Sequence, residues 1–317
     1  MPLHPTKNLF IKRFLDLQKP LNNLFFKVFW DSKTLFFKKG FWWGAGVTPL
    51  RYPPRKDTSM KITFLGTSYG ITEKNRFCSS ALISAGGKHY LVDAGAPVLT
   101  LLMNHDVPLE DVAGVFITHS HHDHMMGLCT LTQQINEFPP FGKVSFPVYV
   151  PDAEDYHRMF AFIFGDPAFR GRLDYKVYGG LTDPYGDRAR RVSAVIFNDG
   201  NLRVTAIPVD HFQNAHAFLL EAEGKRVVFT GDLLTGMTDY PAVITETDTD
   251  LVVTEGAHTK LNEPEIMALL KSSRTKTLVI NHRHRDVNPD EAIDELAAYT
   301  GDKFPTVAAY DGMVCEV

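Results

Sequence analysis

Residues 112–124 read VAGVFITHSHHDH: an apolar run, then four histidines and an aspartate within seven positions. The run has the length and apolar character of a buried strand, so the ligand-type residues sit where a strand leaves the core. Strand side chains alternate between faces. His119 and His121 therefore point the same way, and Ser120 and His122 elsewhere. Asp123 and His124 follow as the chain turns into MMGLCTLTQQI, which has helical spacing. The pattern can offer two imidazoles to one metal ion and a carboxylate with an imidazole to a second. Neutral imidazole and carboxylate oxygen suit zinc, manganese or iron. His122 is left as a solvated loop histidine.

Two ions need more ligands than these four. Three later apolar runs each close on one ligand-type residue: IPVDH on His211, VVFTGD on Asp232 and LVINH on His282. All three are candidates to converge with the heptad on one sheet edge. His284 rivals His282, but the position directly after the strand favours His282.

The surrounding pattern is a layered α/β domain with a mixed sheet. Strands are expected at 61–66, 80–84, 89–95, 112–118, 146–151, 250–256, 277–282 and 306–317, with hairpins over 193–209 and 217–231. Helical spacing covers 96–105 and 152–164, and EPEIMALLKSS and PDEAIDELAAYTG are helices between late strands. Of the 317 residues 44% are hydrophobic and 22% charged, an ordinary globular balance. Cys78, Cys129 and Cys315 are too few and too scattered for a disulfide framework or a cysteine-based zinc site, which fits a cytoplasmic setting.

The net charge of −4 conceals two unlike pieces. Residues 1–59 hold 11 Lys and Arg against 3 Asp and Glu, a net of +8, together with Trp30, Trp42 and Trp43. Residues 60–317 hold 22 against 34, a net of −12. The seam falls near RYPPRKDTSM at 51–60. Residues 1–59 are a basic, aromatic N-terminal extension, helical or poorly ordered. No stretch in it reaches the roughly 20 apolar residues of a spanning helix; a membrane-surface segment is one reading, and the favoured one is an extension packed on the domain or sequence translated ahead of a start at Met60. Residues 60–317 are expected to form the domain that carries the histidine-rich site, opening with MKITFLGTSYG as its first strand.

The ordered set of His119, His121, Asp123, His124, His211, Asp232 and His282 resembles the metallo-β-lactamase-fold hydrolases from Met60 onward. That resemblance implies a four-layer αβ/βα sandwich with mixed sheets and a binuclear site along one sheet edge. It implies two divalent ions, zinc or manganese: His119, His121 and His211 on the first, Asp123, His124 and His282 on the second, Asp232 bridging. Asp93, in LVDAG, matches an aspartate supporting the ligand shell. FLGTSYG and RFCSSALI resemble the ribonuclease Z-like and phosphodiesterase branch, in which His258 of LVVTEGAHTK matches an active-site histidine. TVAAYDGMVCEV resembles the end of the phosphonate-pathway cyclic phosphodiesterase. The cysteine-rich second metal site of that enzyme is absent, and Cys78 alone cannot replace it.

The implied reaction is hydrolysis of a small phosphodiester or cyclic phosphate by a metal-bridging hydroxide, with Asp232, His258 and Asp123 as catalytic candidates. Lactone, β-lactam or thioester hydrolysis would use the same ligands, and a metal-bound nucleotide sensor without turnover is the rival of another class. Dedicated tRNA binding is disfavoured: the ribonuclease Z-like pattern implies a long tRNA-gripping arm between the third histidine motif and the bridging aspartate, where only 20 residues separate His211 from Asp232, and the catalytic piece is acidic, a poor match to a polyanion. The segment between His124 and His211, with Arg170, Arg172, Arg188, Arg190 and Arg191, is the expected specificity element. A homodimer is the commonest assembly for such a chain.

Overall fold

Apolar side chains on the central strands sort by parity. In β1 (Lys61–Gly66), Ile62 and Phe64 join one buried cluster and Leu65 another. In β2 (Ser80–Ala85) and β3 (Lys88–Val92), Ala81, Ile83, Tyr90 and Val92 go with the first cluster, Leu82 and Leu91 with the second. Strands buried on both faces are the physical reason these runs read as continuously apolar. The computed structural model describes residues 59–137, 143–165, 173–183, 191–211, 214–234 and 239–317. The N-terminal extension, apart from Ser59, lies outside the described residues, as do Arg170, Arg172, Arg188 and Arg190.

One sheet continues with β4 (Val112–Phe116), β5 (Pro147–Val150) and β6 (Asp174–Val177), and β14 (Val314–Glu316) flanks β1, giving the order β14-β1-β2-β3-β4-β5-β6. The other contains β7 (Ala194–Asn198), β8 (Arg203–Pro208), β9 (His216–Ala222), β10 (Lys225–Phe229), β11 (Leu251–Gly256), β12 (Leu278–Arg283) and β13 (Thr306–Ala308), ordered β13-β12-β11-β10-β9-β8-β7. The first cluster draws Phe64, Tyr90 and Phe116 from one sheet and Phe218, Val253 and Val279 from the other, so the sheets share an inner core.

The outer faces are covered by helices. α1 (Val98–Asn104), α3 (Gly127–Glu137) and α4 (Ala153–Phe164) pack on the first sheet through Leu101, Leu102, Leu131, Ile135, Tyr156 and Phe160. α6 (Pro264–Ser272) and α7 (Asp290–Thr300) pack on the second through Ile266, Leu270, Ile293 and Leu296. Two short helices, α2 (His122–Met125) and α5 (Val243–Glu246), complete the α-helices among the described residues. The layers are αβ/βα, with mixed sheets. α4 starts where Asp152 accepts the Glu154 N–H at 2.6 Å, and it stops at Gly165 with φ +71°.

Each sheet joins an antiparallel half to a parallel half. β3 to β6 run parallel, as do β10 to β13. The carboxyl ends of parallel strands are where ligands bind in open sheets.

The C-terminal segment corrects the sequence reading. Residues 306–317 are two strands in different sheets: β13 extends β12, and β14 pairs with β1. The Asp311-Gly312 turn, with Gly312 at φ +86°, carries the chain across. β6 escaped the sequence reading, because DYKV is a four-residue edge strand, largely exposed and without apolar alternation. β3 ends at Val92 rather than at residue 95, because Asp93 takes φ +61° and turns the chain out of the sheet.

Candidate metal centre

The site is assembled by strand ends. Asp93 follows β3, the histidine-rich heptad follows β4, His211 follows β8, Asp232 follows β10, His258 follows β11, and His282 lies near the end of β12. Gly231, at φ +61°, makes the turn that admits Asp232: a Cβ there would stand 2.8 Å from the His216 carbonyl oxygen. His282 also has a positive φ, +48°, a conformation uncommon for a residue other than glycine.

His119, His121, His211 and Asp232 form one group of ligand-type atoms, all within 4.8 Å of one another. His121 Nδ1 lies 2.9 Å from His119 Nε2 and 3.2 Å from His211 Nε2. Asp232 Oδ2 is 3.7 Å from each of those Nε2 atoms. Asp123, His124 and His282 form a second group on the same criterion. There, Asp123 Oδ2 is 3.4 Å from His124 Nε2 and 3.7 Å from His282 Nε2. Asp232 reaches this group too, with Oδ1 3.4 Å from His124 Nε2 and Oδ2 3.0 Å from His282 Nε2.

Hydrogen bonds behind the rings fix which nitrogen keeps its lone pair. His211 Nδ1–H donates to the Leu233 carbonyl at 3.1 Å, leaving Nε2 for the group. His124 Nδ1–H donates to Asp93 Oδ2 at 2.8 Å. The Thr118 hydroxyl donates to Asp93 and accepts from His119 Nδ1–H, each at 3.0 Å. Asp93 also accepts the Thr118 N–H at 2.7 Å. One buried carboxylate thus orients a histidine in each group, directly for His124 and through Thr118 for His119.

The residues fit divalent cations. The donors are neutral imidazole nitrogens and carboxylate oxygens, a borderline to hard set. Buried atoms within it, His124 Nε2 and Asp232 Oδ1, have no hydrogen-bond partner, although such atoms are normally satisfied. Burial lowers the pKa of His119 well below the ordinary range, and lowers His211 to about 4, so both favour the neutral, ligating form. Burial alone would raise Asp232, but His282, His124 and His119 outweigh it and hold the carboxylate ionised. Burial opposes a proton on His124, while Asp232, Asp93 and Asp123 favour it strongly enough to raise its pKa.

At the mouth, His258 is 36% exposed, and its Nδ1 stands 3.9 Å from Asp232 Oδ2. Behind it lies Glu255, which the sequence reading missed. Its Oε2 accepts the N–H groups of Ala257 and His258 and sits 3.5 Å from His258 Nδ1. That carboxylate is the leading cause of a raised His258 pKa. The clue was an acid closing a strand just before a histidine, in TEGAH.

The remaining candidates are elsewhere. His284 tilts against the Tyr69 ring at 4.1 Å and accepts the Asp286 N–H through Nδ1. His122 is exposed, with Nε2 3.0 Å from the Gly70 carbonyl. Arg191 pairs with Asp210 at 2.6 Å, next to His211. Cys78 is buried and unbridged.

The metallo-β-lactamase fold protein YhfI from Bacillus subtilis superposes with a TM-score of 0.62 at 22% identity, over 82% of this chain and all of that one. This chain has the metallo-β-lactamase fold. A diphosphatase of the PhnP family shares the fold at a TM-score of 0.56 and 16% identity, covering 81% of this chain and 98% of the other. In sequence, ribonuclease Z of Mycolicibacterium gilvum is 27% identical over 184 residues, 55% of this chain and 61% of the relative. The family model described as anti-Pycsar protein Apyc1 matches residues 60–149 of this metallo-β-lactamase-fold chain. The chain spans less than two thirds of the length of the curated relatives it matches. Among the described residues, no helix is long and apolar enough to cross a membrane.

Proposed function

We propose that the chain is a binuclear metal-dependent phosphodiesterase acting on a small phosphodiester or cyclic phosphate. The observation that carries this reading is the convergence of seven ligand-type side chains in two groups that share Asp232. His119, His121 and His211 would hold one cation and Asp123, His124 and His282 the other, with Asp232 between them. When bound, zinc or manganese would activate water and neutralise charge on the phosphoryl oxygens.

The chain's own residues supply the rest. Asp93 and Thr118 hold the ligand tautomers. His258, at the solvent side and backed by Glu255, would give a proton to the leaving oxygen. Asp232, between the two groups, and Asp123 would orient the attacking water as fixed carboxylates.

The ribonuclease Z relatives favour a second reading, cleavage of RNA. Against a dedicated tRNA enzyme stand the short His211–Asp232 interval and the acidic balance of residues 60–317. Metal-loaded protein should hydrolyse bis(p-nitrophenyl) phosphate and cyclic nucleotides faster than precursor tRNA or a lactone panel. Preference for precursor tRNA would select the second reading, and preference for lactones or thioesters would reject both. A nucleotide bound tightly but left intact would mark a sensor.

A further inference from the structure

Beneath the ligand groups lies a cavity of about 20 Å³. Its polar lining includes His124, Asp232, Glu255, Asn281 and His282. Each of these five carries a buried atom without a hydrogen-bond partner: His124 Nε2, Asp232 Oδ1, Glu255 Oε1, Asn281 Oδ1 and His282 Nδ1. The first two belong to the cation ligands. The other three have no such role, because His282 turns Nε2 toward Asp232 and Glu255 engages Ala257 and His258 through Oε2. Glu255, Asn281 and His282 are 3%, 7% and 3% exposed, so bulk water does not satisfy them. Buried polar atoms left unpaired are costly and rare.

We infer that this cavity is a binding site for one water molecule, which joins His282 to Glu255 and makes Asn281 a positioning residue. On the two-cation reading above, Nε2 of His282 gives its lone pair to the cation, so Nδ1 carries the proton and donates to the water. The water's two hydrogens go to Glu255 Oε1 and Asn281 Oδ1. Buried waters make about three hydrogen bonds and need roughly 10–15 Å³, so both the donor–acceptor balance and the volume suit one molecule. The result is a hydrogen-bonded chain from His282 through water and Glu255 to His258. It pins the His282 ring, whose backbone sits at positive φ, and links the deeper ligand group to the residue at the mouth. The water site stands on the cavity and its lining. The direction of the His282 hydrogen bond and the effect on the second cation rest on the two-cation reading above.

A crystal structure of the full chain loaded with zinc, at a resolution that shows ordered solvent, tests the site directly. One water peak within hydrogen-bond distance of His282 Nδ1, Glu255 Oε1 and Asn281 Oδ1 is expected. A dry cavity, or an anomalous peak marking a metal ion there, overturns the inference. A zinc-free protein that still holds the water would support the site and count against the cation reading. Zinc titration against a chromophoric chelator supplies an independent readout. Asn281→Leu fills the space without an acceptor and should weaken the second zinc ion about 10–100-fold, the usual cost of losing a supporting hydrogen bond. Asn281→Ala leaves room for an added water and should retain most of that affinity. Equal affinity in the two variants contradicts the inference.

Discussion

The two ligand groups differ in depth. In the His119, His121, His211 and Asp232 group, His121 and His211 are only half-buried. In the Asp123, His124 and His282 group every member is buried. The outer group is the more open to solvent, and the inner group is the more deeply enclosed. On the two-cation reading, the contrast predicts unequal ions: an outer one that exchanges readily and an inner one held as part of the fold.

Asp232→Ala attacks both groups at once, because its two oxygens face both. Metal analysis should show loss of both cations and activity at the uncatalysed background. Retention of two ions would remove the reason for treating the groups as one centre. His258→Ala should lower turnover by about 10²–10⁴-fold while metal content stays at the wild-type value. Loss of metal in that variant would make His258 a ligand rather than a proton donor.

Asp93→Ala should weaken both cations about 10–100-fold, since the same carboxylate orients His124 and, through Thr118, His119. Thr118→Val should weaken only the outer ion. Paired zinc titrations of the two variants would show whether the groups are supported separately.

The smallest effect concerns His216, whose backbone N–H holds the Thr118 carbonyl at 3.1 Å, beside the outer group. Its ring is fully buried, with Nδ1–H donated to the Asn214 carbonyl and Nε2 accepting from Thr182. Burial lowers its pKa to about 4. The unfolded value is about 6.5, so neutral His216 contributes stability above that pH, and the contribution is lost as pH falls toward 4. Between pH 7 and pH 5 the loss is roughly 2 kcal/mol by linkage. Denaturant unfolding of chelator-treated protein should show a pH dependence shallower by about that amount in His216→Gln.

What was legible in the sequence was whatever sat at the end of an apolar run. His119, His211, Asp232 and His282 each follow or close such a run, so strand parity and position bring them to one edge. The αβ/βα layering is written in the same runs, through inner Ile62 and Phe64 and outer Leu65. Glu255 and Asn281 were hidden because each lies inside a run read as strand, where a polar residue does not reveal which face it turns to the site. Thr118 looked like the last strand residue. Its hydroxyl matters only because Asp93, 25 residues earlier, folds back at a positive φ to meet it. The division of residues 306–317 between two sheets depends on which edges are vacant, which local pattern does not encode.

Anomalous diffraction from crystals of the metal-loaded chain tests the central claim most directly. Two peaks per chain are expected, one among His119, His121, His211 and Asp232 and one among Asp123, His124 and His282. No peak at this edge of the sheets, or a single ion bound elsewhere, would contradict it.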